Sequence, residues 1–348
     1  MTQSAQIWKI FSSLTFCLIA ILGCQSPVSN SQSPTPSLQS PIPTTSPPTP
    51  SPQPLSPTGT LLFSSRQIDT NGDGFVQVPD AIQIYKMDLE TGRARPLTQT
   101  DAYHTYPAWS PDGSQIAYVS TESGGVDLFV MDEDGANSQQ LTVNIQRVAS
   151  PSWSPDGTMI VFSGGDSSSP NLYVYSMTTG EVEQITDSAL ADVEPDWSKH
   201  GRFILLTRQQ PTGTNSSASN EAGLFLFEVE TAHLILVEPA TENDTPLINA
   251  QWLPVNKPQF LAQEKNDPTL STKLYDLFWE DSQTFYRETA VINQNSLELL
   301  MLDDTQLITV IPSEESSEIA HLHLDSANPA PQFLTNNSFF ESNIDWKR

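Results

Sequence analysis

The stretch PAWSPDGSQIAYVS, residues 107–120, returns 44 residues later as PSWSPDGTMIVFSG, residues 151–164. A period of about 20 to 50 residues marks a unit that cannot bury its own apolar face and stacks on copies of itself. In Ser110-Pro111-Asp112-Gly113 the order Ser, Pro, Asp, Gly is the position-by-position preference of a type I turn. The β-prone run Gln115 to Val119 follows, then Val126 to Met131, a turn at Asp134-Gly135, and a short fourth run from Gln139 to Thr142. One unit is therefore four short antiparallel strands, with Trp109 on the first.

The tryptophans count the units. Trp109, Trp153 and Trp197 stand 44 residues apart, the third followed by a degraded turn, Ser198-Lys199-His200-Gly201. Trp252 comes 55 residues after Trp197, and the excess is a polar insertion, residues 209–222 (QQPTGTNSSASNEA). Met301 takes the tryptophan position in the next unit, and Trp346 lies 45 residues beyond it. The ends are incomplete in opposite senses. Trp346 has no strand after it, and residues 59–65 (GTLLFSS) read as a second strand with no first. Joining them completes a sixth unit. The expectation is an all-β fold, a six-bladed β-propeller closed by the C-terminal strand joining the first blade, an arrangement that leaves no open stack of sheets. A tryptophan at each repeat position is expected to fill the space between neighbouring blades.

The Trp followed by SPDG, with Leu97-Thr98, Leu141-Thr142, Ile185-Thr186 and Leu334-Thr335 near the ends of units, resembles the WD-like repeats of the TolB-like β-propellers. The resemblance covers residues 59–348 and is strongest in units two and three. TolB-type proteins carry an α/β domain ahead of the propeller, and no stretch here corresponds to one. The resemblance thus implies the fold and not a place in the Tol system.

Residues 1–23 read as a secretory signal: a short head with Lys9, then a 13-residue apolar run from Ile10 to Leu22, too short to span a bilayer. The run ends in Ile21-Leu22-Gly23-Cys24, which resembles the bacterial lipoprotein cleavage box, with Cys24 the lipid-bearing new amino terminus. Residues 25–58 hold 11 prolines among 34 residues and no charged side chain. Such a composition cannot bury enough apolar surface to fold, so residues 24–58 are expected to be a disordered stalk. Residues 59–348 form the head, which contains no cysteine. The expected location is the cell envelope, anchored at the outer membrane through lipid and facing the periplasm or the cell surface.

The chain carries 15 Lys and Arg against 41 Asp and Glu, a net charge of −26. Nucleic acid and anionic headgroups are repelled by such a surface, and a cationic protein or peptide, or metal ions, are the company it favours. An oligomer is not expected.

One stretch has metal-binding chemistry. From Asp69 to Asp80 the chain reads DTNGDGFVQVPD. Oxygen side chains at Asp69, Asn71 and Asp73, a glycine for the sharp bend, the main-chain carbonyl of Phe75, Gln77 directly or through water, and Asp80 at the twelfth place are the pattern of a 12-residue calcium loop. Strand-like runs flank it on both sides. It therefore resembles the calcium loops inserted in β-hairpins of other propellers, with a structural ion. His321 and His323 alternate along a strand without a visible third ligand. There is no G-x-S-x-G elbow and no cysteine nucleophile in the head.

For a binding surface the repeat frame offers the residues three before each tryptophan position: Tyr106, Ser150, Glu194, Asn249, Glu298 and Asn343. They are expected at the start of each innermost strand. With His104, Arg147, Asp192 and Glu341 beside them they would form a mouth that, in TolB-like propellers, receives partner peptides. The sequence thus favours a non-catalytic protein- or peptide-binding scaffold. The alternative is a carbohydrate-active propeller enzyme, a lyase or hydrolase, working at the same mouth.

Overall fold

A computed structural model describes residues 58–66, 81–209, 222–239, 247–252, 259–264, 272–280, 283–293, 298–301, 306–312, 317–323, 332–335 and 341–347. All of them fall within one unit, Pro54–Arg348. Every regular element among them is a strand.

Six groups of four strands follow one another around the ring. Blade one is Glu341–Lys347, Thr60–Ser65, Gln83–Asp88 and Arg93–Pro96; blade two is His104–Trp109, Gln115–Ser120, Asp127–Asp132 and Gln139–Gln140. Blade three is Ala149–Trp153, Met159–Gly164, Asn171–Ser176 and Val182–Gln184, and blade four Ala191–Trp197, Phe203–Gln209, Gly223–Glu228 and His233–Pro239. Blade five is Leu247–Trp252, Gln259–Glu264, Thr272–Glu280 and Gln283–Asn293, and blade six Glu298–Met301, Gln306–Pro312, Ser317–His323 and Gln332–Phe333. The first strands lie against one another from blade to blade and form the inner wall. Closure is direct: Leu61 pairs with Trp346 and Ser65 with Glu341, so the end of the chain supplies the inner strand of blade one.

Blades four and five share one hydrogen-bonded sheet, because Val237–Pro239 pairs in parallel with residues 284–286. The outer strand of blade four is long and apolar (HLILVEP), whereas those of blades two, three and six have two or three residues. A long apolar edge invites pairing with other chains, and the 11-residue outer strand of blade five covers its end.

The core lies between blades. Trp109 packs on Leu62 and Ile84 of blade one, Trp153 on Val119 and Leu128 of blade two, and Trp197 on Val161 and Leu172 of blade three. Each is nearly enclosed. Trp252 is only partly buried against Leu205 and Leu226 of blade four.

Hydrogen bonds account for the repeated polar residues. Ser110 N–H donates to Gln115 O, Gly113 N–H donates to Ser110 O, and Ser110 Oγ accepts from Gln115 N–H at 2.9 Å and donates to Asp112. The Ser110 hydroxyl and the Ser114 amide and hydroxyl hold the Asp112 carboxyl down at about 2. Ser154 and Asp156 repeat the arrangement, and Ser198 keeps its backbone part without an aspartate. Gly113 and Gly157 have φ of 68° and 71°, the left-handed region that glycine enters without steric cost. The Leu-Thr motif has an equally local cause. Thr98, Thr142, Thr186 and Thr335 Oγ1 accept from the amides of Ile84, Leu128, Leu172 and Ile319, which ties the end of each of these blades to the start of its third strand.

Candidate functional site

The inner strands are interrupted at one repeated position. Strand register shifts between Thr105 and Ala108, Ala149 and Ser152, Val193 and Asp196, and Ile248 and Gln251, and the closing strand shifts opposite Leu62 and Ser64. Each shift is a β-bulge. At four of them a non-glycine residue has a positive φ: Tyr106 at 52°, Ser150 at 49°, Glu194 at 54° and Asn343 at 52°. Holding such a residue in the left-handed region costs on the order of 1–3 kcal/mol and persists only where the surroundings enforce it. Three of the four precede a proline, Pro107, Pro151 and Pro195. Proline has no N–H for the ladder, so the pairing gives way there.

These are the residues three before each tryptophan position. Tyr106, Ser150, Glu194 and Asn343 sit inside the inner strands at the bulges rather than at the strand starts expected from the sequence, whereas Glu298 opens its strand as expected. Tyr106 is 37% exposed and Tyr103 on the same segment 39%; Ser150, Glu194 and Asn343 are half-buried. Asn249 lies within the register shift of blade five, and Glu298 pairs regularly with Val310. The bulge also decides which face the neighbouring residues take. Trp109 pairs with Ile116 and His104 with Ser120, so both face blade one although five residues separate them.

Two residues expected beside the mouth are enclosed instead. His104 is 1% exposed, with Nε2 2.8 Å from Thr100 Oγ1, and burial pushes its imidazole down to about 4. Asp192 is fully buried and receives two bonds from Arg208, at 2.6 and 2.8 Å, whose guanidinium lies 4.8 Å from the centre of the Phe225 ring. Both belong to the packing between blades. Arg147 is exposed, with a φ of 52°, and Glu341 pairs along the backbone with Ser65.

Next to the tryptophans, side chains reach across blades. Asp345 Oδ2 accepts from Trp109 N–H at 2.5 Å, Ser152 Oγ from Trp197 N–H at 3.0 Å, and Asp196 Oδ2 from Trp252 N–H at 2.7 Å. Amides on the inner edge have no further strand to pair with, and these acceptors replace it. Ser152 also donates to Asp196 Oδ1 at 3.2 Å, and enclosure raises the Asp196 carboxyl to about 6. The spacing of the repeat gave no sign of these links. An acceptor just before a repeat tryptophan (Ser152, Asp196, Asp345) is the signal that was available.

Residues 67–80, with the calcium-loop positions Asp69, Asn71, Asp73, Phe75, Gln77 and Asp80, lie outside the described residues, as do Cys24 and residues 210–221 of the insertion. The strands on either side of residues 67–80 are paired up to their ends, Ser65 against Gln83. His200, His233 and His321 are in blades four and six, away from His104. His321 is buried, with Nε2 3.1 Å from Gln306 Oε1.

Six blades, the tryptophan spacing and the bulged inner strands agree with sequence comparison, in which residues 76–246 match the TolB β-propeller domain. The fold is that of a TolB-like β-propeller. Among solved structures, TolB from Acinetobacter baumannii superposes with a TM-score of 0.64 at 13% identity, over 83% of this chain and 66% of that one. Kuenenia stuttgartiensis hydrazine synthase gives 0.61 at 15% identity, over 83% of this chain and 47% of that one. An oligogalacturonate lyase in complex with manganese gives 0.52 at 14% identity, over 73% of this chain and 71% of that one. The TolB-like chain thus spans just under two thirds of the Acinetobacter protein and about half of the synthase. At these identities the likeness is one of fold. No curated protein sequence matches the chain.

Proposed function

We propose that this TolB-like propeller is a non-catalytic scaffold of the bacterial cell envelope that binds a protein or peptide at the mouth marked by Tyr106, Ser150, Glu194, Asn249, Glu298 and Asn343. The observation that carries the reading is the set of four non-glycine residues held at positive φ at one repeated position of the inner strands. Such strain collects where side chains are pre-set for a ligand. The half-exposed tyrosine Tyr106 among them, and the net charge of −26, suit an extended segment bearing cations.

In this reading Cys24 carries lipid, residues 25–58 act as a stalk, and the loop from Asp69 to Asp80 holds a calcium ion that orders the long hairpin of blade one. Photo-crosslinking in cells making the full chain tests the mouth. A benzoylphenylalanine at position 106 or 194 gives a discrete adduct, and one at the exposed turn residue Glu90 gives none; equal labelling from all three removes the mouth. Mass spectrometry of the mature amino terminus reads the acyl chains on Cys24. Titration with calcium gives heat and a raised melting temperature at millimolar ion, and the ion is withdrawn from the reading if neither appears. Turnover on a panel of envelope and plant polysaccharides would favour the enzyme alternative.

A further inference from the structure

The outer strand of blade three, Val182–Gln184, has three residues, and that of its neighbour in blade four, His233–Pro239, has seven. The shortfall leaves a shared apolar surface incompletely covered. Met159, Val174 and Ile185 of blade three and Val229, Leu234 and Leu236 around blade four pack on the cluster of Trp197, Ile204 and Phe225, yet all six stay half-buried. A cleft of about 400 Å³ opens there, lined by Met159, Val174 and Val182 with Glu181 and Glu183 at its rim.

The edge beside the cleft can accept a strand. Ser176 N–H donates to Glu181 O, and Tyr175 stands opposite Val182 in the antiparallel ladder. By the alternation of such ladders, the main-chain groups of Val182 and Gln184 point outward. Among the described residues no strand pairs with that side. The three residues of the strand are exposed, Val182 by 37%.

We propose that this edge is a β-augmentation site for an extended segment of a partner protein in which apolar residues alternate with lysine or arginine. The added strand pairs with Val182 and Gln184 through its apolar residues, whose side chains cover Val182 on one face. On the other face the stems of its lysines or arginines lie over Val174 with their charges against Glu181 and Glu183, which share that face. Charge selects the occupant. A second copy of this chain would bring Glu181 and Glu183 against themselves on a molecule already at −26, which opposes association. The site is separate from the mouth and stands whether or not the mouth binds.

The test uses the full chain and a fluorescein-labelled eight-residue peptide of alternating valine and lysine, at about 0.15 M salt, where surface attraction is screened beyond roughly 8 Å. Saturable binding is expected. It should fall at least tenfold in the Glu181→Lys, Glu183→Lys double variant, whose unchanged melting temperature shows that the fold is kept. A peptide of the same charge with proline at alternate positions, unable to donate to the edge, should not bind. Equal binding to the double variant, equal binding of the proline peptide, or no binding of the valine-lysine peptide at millimolar concentration each overturns the proposal. So does sedimentation showing a dimer that the double variant loses, because the edge then belongs to a second copy.

Discussion

Lys347 Nζ lies 4.1 Å from the centre of the Trp109 ring, so the last described residue of the chain seals the first repeat tryptophan. The same ammonium donates to Gly113 O at 2.6 Å and pairs with Glu133 at 2.8 Å. Lys86, on the other side of the join, also pairs with Glu133 and sits 5.3 Å from that ring. One carboxylate and one indole thus hold two cations from blade one against blade two. The Lys347 bond, with the charges of Lys86 and Lys347, keeps the Glu133 carboxyl below its usual range.

Lys347→Ala should lower stability by about 1 kcal/mol, since a half-exposed ion pair and one cation–π contact each contribute at most about that much. In urea unfolding, a double-mutant cycle with Glu133→Gln should show a coupling that shrinks as salt is raised. Additive losses at every salt concentration would mean that the pair does not bridge the join.

Trp153→Ala should cost about 3–5 kcal/mol, as an enclosed indole leaves a cavity between blades two and three. Trp252→Ala should cost less, because its ring is only partly buried. Equal losses by chemical denaturation would contradict the packing described for the two rings.

Thr142→Val should cost about 1–3 kcal/mol by leaving the Leu128 amide and one contact of the buried Asp127 without a partner, with little change in volume. Thr142→Ser keeps the hydroxyl and should recover most of the loss. The comparison is made from the two melting curves.

Stability should respond to pH through buried His104 and half-buried Asp196, with opposite sign. His104 titrates near 4 in the fold against 6.5 when free, so its contribution is present above 6.5 and lost as pH falls through 4. Asp196 titrates near 6 against 3.8, so its contribution is present below 3.8 and lost as pH rises through 6. The His104 contribution is on the order of 3 kcal/mol, and that of the half-buried Asp196 is smaller. Between pH 4 and 6 they oppose each other. Asp196→Asn, compared with the parent chain, should gain more at pH 8 than at pH 4, and His104→Gln should flatten the acid side. The opposite ordering in urea midpoints would place these groups in solvent.

Ser150→Gly should raise stability by about 0.5–1 kcal/mol by relieving a left-handed serine. Ala149→Gly, one residue earlier, should lower it. A gain from both by calorimetry would remove the argument that the bulge is strained.

The sequence by itself determined the blades. The 44-residue spacing of Trp109, Trp153 and Trp197, the SPDG turns and the Leu-Thr ends are codes of local hydrogen bonds, in which Ser110, Asp112 and Thr142 find partners within about one blade. Closure was legible too, because Trp346 lacked a following strand and residues 59–65 lacked a leading one. The bulges were half-written, in the prolines at positions 107, 151 and 195.

Only the tertiary structure decided which polar groups are enclosed. His104 and Asp192 are charged or chargeable residues at the head of an inner strand, and nothing within a single repeat says that a neighbouring blade covers them. The amide of Trp109 and its acceptor Asp345 lie 236 residues apart, and the outer edges of blades four and five meet through a parallel pairing absent from the other blades described. Local pattern fixes what a strand pairs with next, whereas burial depends on surfaces that come together only when the ring shuts.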